Sequence, residues 1–327
     1  MKLLITGGAG FIGSNLLHYL SKKYPHYELI NLDKLTYAGV LENLKPLEHH
    51  PNYRFIRGDI NDRPILTSIF EEGLDGIIHL AAESHVDRSI EKPDIFITTN
   101  VLGTQTLLDM AREHQLPRFL QVSTDEVYGS LGTSGYFTED TPLAPNSPYS
   151  ASKAAADLLG RAAYQTYGLP VIITRCSNNY GPYQFPEKLI PLIITHALEN
   201  QKLPVYGDGM NIRDWLHVND HCAALDLAFH QGTPGEIYNI GGNQELTNLD
   251  VVKTILKKMH KPEHLIEYVK DRSGHDRRYA IDASKIKRQL GWFPTTDFES
   301  GISETVQWYI QNQEWITNIK SGQYSTI

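Results

Sequence analysis

The sequence is poor in cysteine and has no long apolar run. Cys176 and Cys222 are the two cysteines among 327 residues, and two scattered thiols provide neither a disulfide framework nor the spacing of a metal site. The apolar stretches have the length of strands, short of the roughly 20 residues that a membrane-spanning helix needs. The N-terminal segment MKLLITGG lacks the apolar length of a signal peptide. We therefore expect a cytoplasmic protein without a metal site and without a membrane partner.

Basic charge is also scarce. The chain has 30 Lys and Arg against 38 Asp and Glu, which gives a formal net charge of -8. Nucleic-acid-binding domains usually present a basic face, so this balance argues against a nucleic acid as partner. A small anionic substrate remains compatible with the composition if a few Arg and Lys side chains are gathered locally.

Short apolar runs alternate with helical patterns in the first half of the chain. They predict strands at 2–6, 27–33, 53–59, 76–82, 118–123 and 171–177. The helical patterns lie at about 11–23, 62–71, 93–114 and 149–167. Near-continuous apolar strands between helices are typical of a parallel sheet with both faces covered. We therefore expect an α/β fold with a doubly wound parallel sheet, the Rossmann architecture, over residues 1–177.

The pattern changes after residue 177. Residues 178–192 are rich in Asn, Tyr, Pro and Gly, and helical patterns recur near 188–200, 219–230, 247–259 and 300–312. We expect residues 178–327 to form mainly a smaller, mixed α/β domain that binds the substrate. The chain is expected to return to the first domain within about 214–245.

A glycine-rich turn follows the first predicted strand. In TGGAGFIGSN, Gly7, Gly10 and Gly13 allow a tight turn and a close approach of a pyrophosphate to the N-terminus of the next helix. Asp33 ends the second strand, where an acid can bind the ribose 2′-hydroxyl of NAD and repel the 2′-phosphate of NADP. A strand, a glycine turn and a helix at the start of a βαβ unit together predict an NAD site.

Two further strand ends each allow two interpretations. Asp59 ends the third predicted strand, where it lies near the adenine or serves as a turn residue before a helix. Ala81 and Ala82, in LAAES, end the fourth predicted strand. Small residues there let a cofactor lie against the backbone, or they simply pack within the sheet. The sequence leaves both alternatives open.

Tyr149 and Lys153, in YSASK, lie four residues apart in a helical pattern and therefore share one face. A free tyrosine has a pKa of about 10, too high for a base at neutral pH. A nearby ammonium and the positive nicotinamide of NAD⁺ would stabilise the phenolate and lower this pKa. The glycine turn, Asp33 and a threonine at the end of the fifth strand make the pair far more specific than Tyr-x-x-x-Lys alone.

Thr124, Asp125 and Glu126 follow the apolar run RFLQVS. The end of this strand lies at the carboxyl edge of the predicted sheet, where ligands bind in such folds. A buried carboxylate is costly unless it is paired or used, so two adjacent acids indicate acid–base chemistry. The alternative for this segment is a solvated turn that caps a helix.

These motifs resemble the extended short-chain dehydrogenase/reductase superfamily and, within it, the dTDP-glucose 4,6-dehydratase family. The matching segments span residues 6 to 282: TGGAGFIGSN, LAAESHVDRSI, STDEVYG, YSASK, RCSNNYGPYQFPEKLIP, GDGMNIRDWLHV and DRSGHDRRYAID. STDEVYG is the most specific, because sister epimerases and decarboxylases replace the Asp–Glu pair. Ser273 stands where the family usually has Pro, a change in the loop near Arg272 that removes no functional group.

The resemblance implies conversion of dTDP-glucose to a 4-keto-6-deoxy sugar with NAD as cofactor. Tyr149, beside Lys153, would take the proton of the C4 hydroxyl while hydride passes to NAD⁺. Glu126 would then remove the C5 proton, and Asp125 would protonate the departing C6 hydroxyl. Thr124 would bind the C4 oxygen, and hydride would return to C6.

The resemblance also implies binding residues. Those for the cofactor are Gly7, Gly10, Phe11, Ile12, Gly13, Asp33, Lys34, Leu35, Thr36, Asp59, Ile60, Leu80, Ala81, Ala82, Ser84, Thr99, Tyr149, Lys153 and Asn179. Those for the substrate are Ser84, Thr124, Asn178, Lys188, Leu189, Pro204, Val205, Tyr206, Arg213, Asn248, Arg272 and His275. Arg213 and Arg272 are the candidates for bidentate phosphate contacts.

Relatives of this kind pair two helices across a dimer, so we expect a homodimer through the helices near 93–114 and 149–167. Three alternatives to the dTDP-glucose activity stay open. They are a dehydratase for UDP-glucose, another NAD-dependent sugar-nucleotide enzyme such as a 4-epimerase or decarboxylase, and a non-catalytic NAD-binding sensor. A UDP-glucose dehydratase would keep the same acid–base residues. An epimerase or decarboxylase does not need the Asp–Glu pair. A non-catalytic sensor often loses the Tyr or the Lys.

Overall fold

The computed structural model describes residues 1–322; residues 323–327, the end of the predicted second domain, lie outside the described residues. The strands are β1 (Lys2–Thr6), β2 (Glu28–Asp33), β3 (Tyr53–Arg57), β4 (Gly76–His79), β5 (Phe119–Thr124), β6 (Val171–Cys176), β7 (Asn178–Tyr180), β8 (Leu203–Tyr206), β9 (Ile212–His217), β10 (Ile237–Ile240), β11 (Glu245–Thr247) and β12 (Ile266–Val269). The α-helices are α1 (Phe11–Lys23), α2 (Arg63–Phe70), α3 (Val86–Glu91), α4 (Pro93–Phe96), α5 (Thr104–Glu113), α6 (Pro148–Tyr167), α7 (Leu189–Leu198), α8 (Val218–Gln231), α9 (Asn248–Lys258), α10 (Ser284–Leu290), α11 (Phe298–Gln311) and α12 (Gln313–Ser321).

Seven strands form one parallel sheet in the order β10-β6-β5-β4-β1-β2-β3. The strand order reverses between β1 and β4, and ligands of doubly wound sheets bind outside the carboxyl ends at such a point. The predicted Rossmann-type α/β class is therefore confirmed. β10 pairs with β6 at the edge of this sheet. The division into two domains stays a prediction.

Both faces of the sheet are covered, which explains its continuous apolar strands. Leu3 and Ile5 belong to one buried cluster, which includes Phe229 of α8. Leu4, between them, belongs to another cluster, which includes Leu107 of α5. This alternation follows from the two-residue period of a strand. The helices on the two faces therefore fix the sheet and the positions of its strand ends.

The later part of the chain builds two small sheets and a second core. β9 pairs with β7 and β11, and β8 pairs with β12. Helices α7, α9 and α11 pack together around a buried cluster that includes Ile193, Val252 and Ile302. Val40, from the loop after β2, belongs to the same cluster. This core therefore joins the second half of the chain to a loop of the first.

The predicted helix at about 93–114 is helical from Pro93 to Glu113, but its middle, Ile97–Gly103, is a π-helical segment between α4 and α5. Asn100 is buried there, and its amide donates to the Glu83 carbonyl at 3.0 Å and to Ser152 Oγ at 2.8 Å. A Cβ on Gly103 would lie 2.4 Å from Ile60 Cδ1. These tertiary contacts accompany the wider turn, a feature that often marks functional sites.

Strands β3 and β4 end earlier than predicted, at Arg57 and His79. Beyond β4, the Ala81 N–H donates to the Thr6 hydroxyl at 3.2 Å. The Thr6 side chain therefore accepts the hydrogen bond that a backbone carbonyl of β1 would accept if the strand pairing continued. Asp59 and residues 80–84 therefore lie in loops at the carboxyl edge of the sheet.

Candidate active site

Most of the predicted cofactor residues line one cleft at the carboxyl ends of β1, β2, β4 and β5. They are Gly7, Gly10, Phe11, Ile12, Gly13, Asp33, Lys34, Thr36, Asp59, Ile60, Leu80, Ala81, Ala82, Ser84, Thr99, Tyr149, Lys153 and Asn179. Leu35 lies outside this lining, and its contact with the cofactor stays a prediction. Its φ of +56° redirects the chain, and its side chain packs against the core of the first half.

The glycine turn has the shape that the motif predicts. Gly7 has a φ of +74°, and a Cβ there would lie 2.6 Å from the backbone nitrogen of Ala81. A Cβ on Gly13 would lie 2.3 Å from the Gly7 carbonyl oxygen, so α1 approaches the turn closely. Gly10 is open on the cleft side, because a Cβ there would meet the Gly7 carbonyl oxygen at an unstrained 3.4 Å. The turn and the N-terminus of α1 therefore form a cradle that fits a pyrophosphate.

Two acids border this cradle. Asp33 accepts the Ala9 N–H at 2.9 Å and so ties the end of β2 to the glycine turn, and burial raises its pKa. Asp59 pairs with Lys34 at 2.7 Å and accepts the backbone N–H two residues later at 2.9 Å. Asp59 is thus a turn residue that also lines the cleft. Its contact with an adenine stays a prediction.

Asp125 is held in an environment that favours its protonated form. It is 2% exposed, and its Oδ2 atom has no hydrogen-bond partner among the described residues. Oδ1 receives a long hydrogen bond from the Thr124 hydroxyl, at 3.4 Å. Burial, followed by the charges of Glu126 and Asp214, raises the pKa of Asp125 well above its usual value. A carboxyl group of this kind can donate a proton at neutral pH.

Glu126, the next residue, has different neighbours. Burial raises its pKa, but the positive charges of Arg272, Lys188 and Arg213 work against that rise. Three cations favour a carboxylate, and a carboxylate can accept a proton. Two adjacent acids therefore stand in environments that separate an acid from a base.

Tyr149 and Lys153 lie one helical turn apart at the start of α6, and both line the cleft. Burial, followed by the charge of Glu126, raises the pKa of Tyr149 well above its usual value, while a hydrogen bond with Thr124 opposes this rise. Lys153 Nζ donates to the Val122 carbonyl at 2.7 Å, and burial lowers its pKa. The expectation that Lys153 lowers the pKa of Tyr149 is therefore not met by the protein groups alone. The neighbouring carboxylates and burial outweigh it.

Comparison with known proteins agrees with this geometry. A family model described as GDP-mannose 4,6 dehydratase matches residues 4–305. A dTDP-glucose 4,6-dehydratase of Xanthomonas campestris is 54% identical, with 98% of this chain and 96% of the relative covered. The chain belongs to the dTDP-glucose 4,6-dehydratase family.

Solved structures of this family have the same fold. The Bacillus anthracis dTDP-glucose 4,6-dehydratase in complex with NAD is 55% identical and superposes with a TM-score of 0.92, covering 98% of this chain and 99% of that one. The Streptomyces venezuelae dTDP-glucose 4,6-dehydratase, with NAD and dTDP bound, is 51% identical with a TM-score of 0.94 and coverages of 96% and 98%.

Two cations that the dehydratase resemblance assigns to the substrate lie beside the Asp–Glu pair. Arg213 donates to the carbonyls of Ile212 at 2.8 Å and Asp276 at 2.9 Å. Lys188 Nζ donates to the Ser84 carbonyl at 2.9 Å. Carbonyl oxygens satisfy these donors without neutralising their charge. The positive charge therefore remains available to an anionic group.

Arg272, Tyr206 and His275 form a second group of predicted substrate residues. The Arg272 guanidinium lies 5.9 Å from the centre of the Tyr206 ring and 3.7 Å from Asp87. The His275 and Tyr206 rings are 6.3 Å apart. Burial lowers the pKa of His275. The group therefore combines one strong cation with two aromatic surfaces.

The predicted substrate residues stay a prediction, and some of them line the cleft while others do not. Ser84, Thr124, Asn178 and Lys188 line the cleft, whereas the other predicted positions lie outside its lining: Leu189, Pro204, Val205, Tyr206, Arg213, Asn248, Arg272 and His275. The Val205 side chain is 1% exposed within the second core, which leaves the backbone of that residue for the predicted contact with substrate. β8 alternates sides, and Val205 faces inwards between its neighbours.

Sequence reasoning missed several polar residues of the cleft. Tyr37, Glu83, Ser177 and Glu187 also line it. Burial raises the pKa of both Glu83 and Glu187. Glu83 lies inside LAAES and Glu187 precedes Lys188, so their positions within the quoted motifs were the available signal.

Two features are absent from residues 1–322. Within that range no group of three or more His, Cys, Asp or Glu side chains is placed to hold a metal ion. Within the same range no helix combines the length and the apolar character needed to cross a membrane.

Proposed function

We propose that this chain is a hydro-lyase that converts dTDP-glucose into dTDP-4-keto-6-deoxyglucose and water. The observation that carries the proposal is the separation of the Asp125 and Glu126 environments. Burial, followed by the charges of Glu126 and Asp214, raises the pKa of Asp125, with Arg213 opposing it, whereas Arg272, Lys188 and Arg213 all oppose the rise that burial causes in the pKa of Glu126. Elimination of water needs an acid and a base side by side, and this pair supplies both.

The cleft fits NAD as the cofactor, since its glycine cradle is shaped for a pyrophosphate and Asp33 stands at the end of β2. Gly7, Gly10 and Gly13 would hold the phosphates, and Asp33 would bind a ribose hydroxyl. When bound, NAD⁺ accepts a hydride from C4 of the sugar, returns it to C6, and adds a positive charge that favours the phenolate of Tyr149.

The order of the acid–base steps follows from the chemistry of the sugar. The C5 proton is not acidic in the alcohol, but it becomes acidic once C4 is a ketone. Tyr149 therefore takes the C4 hydroxyl proton first, with Thr124 hydrogen-bonded to the same oxygen. Glu126 then takes the C5 proton while Asp125 protonates the leaving C6 hydroxyl. Glu126 returns its proton to C5 when C6 is reduced.

A dehydratase acting on UDP-glucose would use the same acid–base residues. A 4-epimerase would share the Tyr–Lys pair but has no need of adjacent acids at 125 and 126. The experiment that separates these activities is incubation with dTDP-glucose carrying deuterium at C4, beside unlabelled UDP-glucose. We expect a 4-keto-6-deoxy product with the deuterium in its methyl group and no net NADH. A galactose isomer, or product lacking deuterium in the methyl group, would contradict the proposal.

Replacing either acid should slow the elimination specifically. We expect Asp125→Asn and Glu126→Gln to reduce the rate of dehydration by about 10²–10⁴, the usual contribution of a positioned acid or base. Oxidation at C4 should be affected less, because Tyr149 and Lys153 remain. Rapid-mixing single-turnover measurements of NADH formation and water loss test this. Wild-type elimination rates in both variants would refute the roles of Asp125 and Glu126.

The proposal includes a homodimer formed by α6 and the segment from α4 to α5. Ile97 and Leu102 are 53% and 54% exposed, and Leu158 on α6 is 56% exposed. Exposed apolar side chains gathered on two elements in contact are typical of an interaction surface. The dTDP-sugar is a proposed partner, and a cytoplasmic location stays a prediction from the sequence.

A further inference from the structure

The proposed dehydration leaves one proton on the wrong residue after each turnover. Tyr149 has gained the C4 hydroxyl proton, and the product ketone does not take it back. Asp125 has lost its proton to the departing hydroxide, which leaves as water. Glu126 has taken and returned the same C5 proton. The next turnover therefore requires one proton to move from Tyr149 to Asp125.

The Thr124 hydroxyl occupies the position between these two residues. It donates to Asp125 Oδ1 at 3.4 Å and accepts the Glu126 backbone N–H at 3.3 Å. A hydrogen bond with Thr124 also opposes the rise that burial causes in the pKa of Tyr149, so the two hydroxyls are near neighbours. A hydroxyl can donate one hydrogen bond and accept others, so Thr124 can accept from a phenol while it donates to a carboxylate.

The three side chains are shielded from bulk water. Tyr149, Thr124 and Asp125 are 9%, 8% and 2% exposed. The position of Thr124 is fixed by β5, whose last residue pairs in register with Cys176 of β6. The end of β5 therefore offers a route by which a proton can move inside the protein. Direct exchange of protons between these groups and solvent is restricted there.

We propose that Thr124 is a proton relay that resets the enzyme between turnovers, an inference that rests on the proposed function. The O–H bond of Tyr149 breaks as a new O–H bond forms on Thr124 Oγ. The original Thr124 O–H bond breaks as an O–H bond forms on the Asp125 carboxylate. The products are a phenolate and a protonated carboxyl group, and no electron pair leaves the three residues. Transfer requires the 3.4 Å contact between Thr124 Oγ1 and Asp125 Oδ1 to shorten.

The test compares Thr124→Val, which removes the relay, with Thr124→Ser, which keeps a hydroxyl. With excess dTDP-glucose, Thr124→Val should form about one product per active site and then continue about 10²-fold more slowly. Thr124→Ser should show one rate throughout. A second readout is the ultraviolet absorbance of the phenolate after one turnover, with Tyr149→Phe as the baseline. The phenolate absorbance should recover in the wild type and in Thr124→Ser, but it should stay low in Thr124→Val.

The outcomes separate the relay from the function itself. Absence of a keto product from the wild-type enzyme would contradict the proposed function. If wild-type enzyme makes product, but Thr124→Val shows equal first and later turnovers and normal recovery of the phenolate, the relay is refuted. A burst in Thr124→Val with a lagging phenolate, rescued by Thr124→Ser, supports it.

Discussion

At the scale of the residue, surroundings determine what each titratable group can do. Asp125 and Glu126 have nearly the same chemistry, yet one is buried among negative charges and the other faces three cations. His79 shows the same principle away from the acids. It is buried between the hydroxyls of Thr6 at 2.8 Å and Thr104 at 3.0 Å, and burial lowers its pKa to about 3. The hydrogen bonds with the two threonine hydroxyls stabilise the neutral form of the imidazole.

This buried histidine makes stability depend on pH in a defined direction. Unfolded His79 binds a proton below about pH 6.5, whereas the folded ring stays neutral until about pH 3. The unfolded state therefore binds more protons in this window, and stability falls as the pH falls from about 6.5 towards 3. Between pH 7 and 5 we expect His79 to account for a loss of about 2 kcal/mol in the free energy of unfolding.

Urea unfolding of His79→Gln at both pH values measures this contribution. The variant should lose about 2 kcal/mol less than the wild type on going from pH 7 to 5. His49 is exposed, so His49→Gln is the matched control and should follow the wild type. If His79→Gln and the wild type lose the same free energy of unfolding between pH 7 and 5, the folded protein does not hold the His79 ring neutral.

At the scale of the element, α6 carries the Tyr–Lys pair and depends on its N-terminal cap. Ser147 accepts the Ser150 N–H at 3.1 Å, and Ser150 Oγ accepts the Ser147 N–H at 3.0 Å, which is a capping box. Tyr149 follows the cap by two residues, so it lies in the first turn. The helix ends at Gly168 with a φ of +70°. The cap therefore holds the start of the helix that positions the proposed base.

Removal of this cap should affect both stability and catalysis. Ser147→Ala should lower the free energy of unfolding by about 1 kcal/mol, because a first-turn N–H loses its acceptor. It should also reduce kcat severalfold, because the first turn holding Tyr149 frays. Asp297→Ala, at the cap of α11, is the control: Asp297 accepts the Ser300 N–H at 2.9 Å. It should cost similar stability without changing kcat, and an equal fall in kcat for both variants would refute a local effect.

At the scale of the whole molecule, the site combines two parts of the chain. The carboxylates come from the end of β5, whereas Lys188, Arg213 and Arg272 come from the later half. Burial raises the pKa of Glu126 and these three cations oppose that rise, so the later half of the chain influences the protonation of a residue from the first half. The proposed dimer surface lies on α6 and the neighbouring π-helical segment, and α6 also carries the site residues. Assembly and catalysis therefore share one helix.

The dimer predicts a change in mass when its surface is charged. Leu158→Glu combined with Leu102→Glu should convert the protein to a monomer, because each carboxylate would be buried without a partner. Phe293→Glu, at a side chain that is 55% exposed elsewhere, is the control and should remain a dimer. Light scattering coupled to size-exclusion chromatography measures the mass. A monomeric wild type would contradict the dimer.

The sequence by itself determined the alternation of strands and helices in the first half of the chain, the glycine turn and the placement of Tyr149 and Lys153 on one helical face. It also placed Asp125 and Glu126 at a strand end. These features follow from local periodicity and spacing, which the chain carries at short range. Leu35 and Val205 show the limit of such reasoning. Both lie close in sequence to predicted positions that line the cleft or are exposed, yet their side chains pack against cores.

The tertiary structure alone decided that burial and two negative charges raise the pKa of Asp125, whereas three cations oppose the rise that burial causes in the pKa of Glu126. It also brought Glu83 into the cleft and widened the helix at Asn100. Burial and charge at these sites arise from residues far apart in the chain. Asp125, for example, is influenced by Asp214, and Glu126 by Arg272. No local pattern encodes such distances, because they exist only once the sheet and the second core have formed.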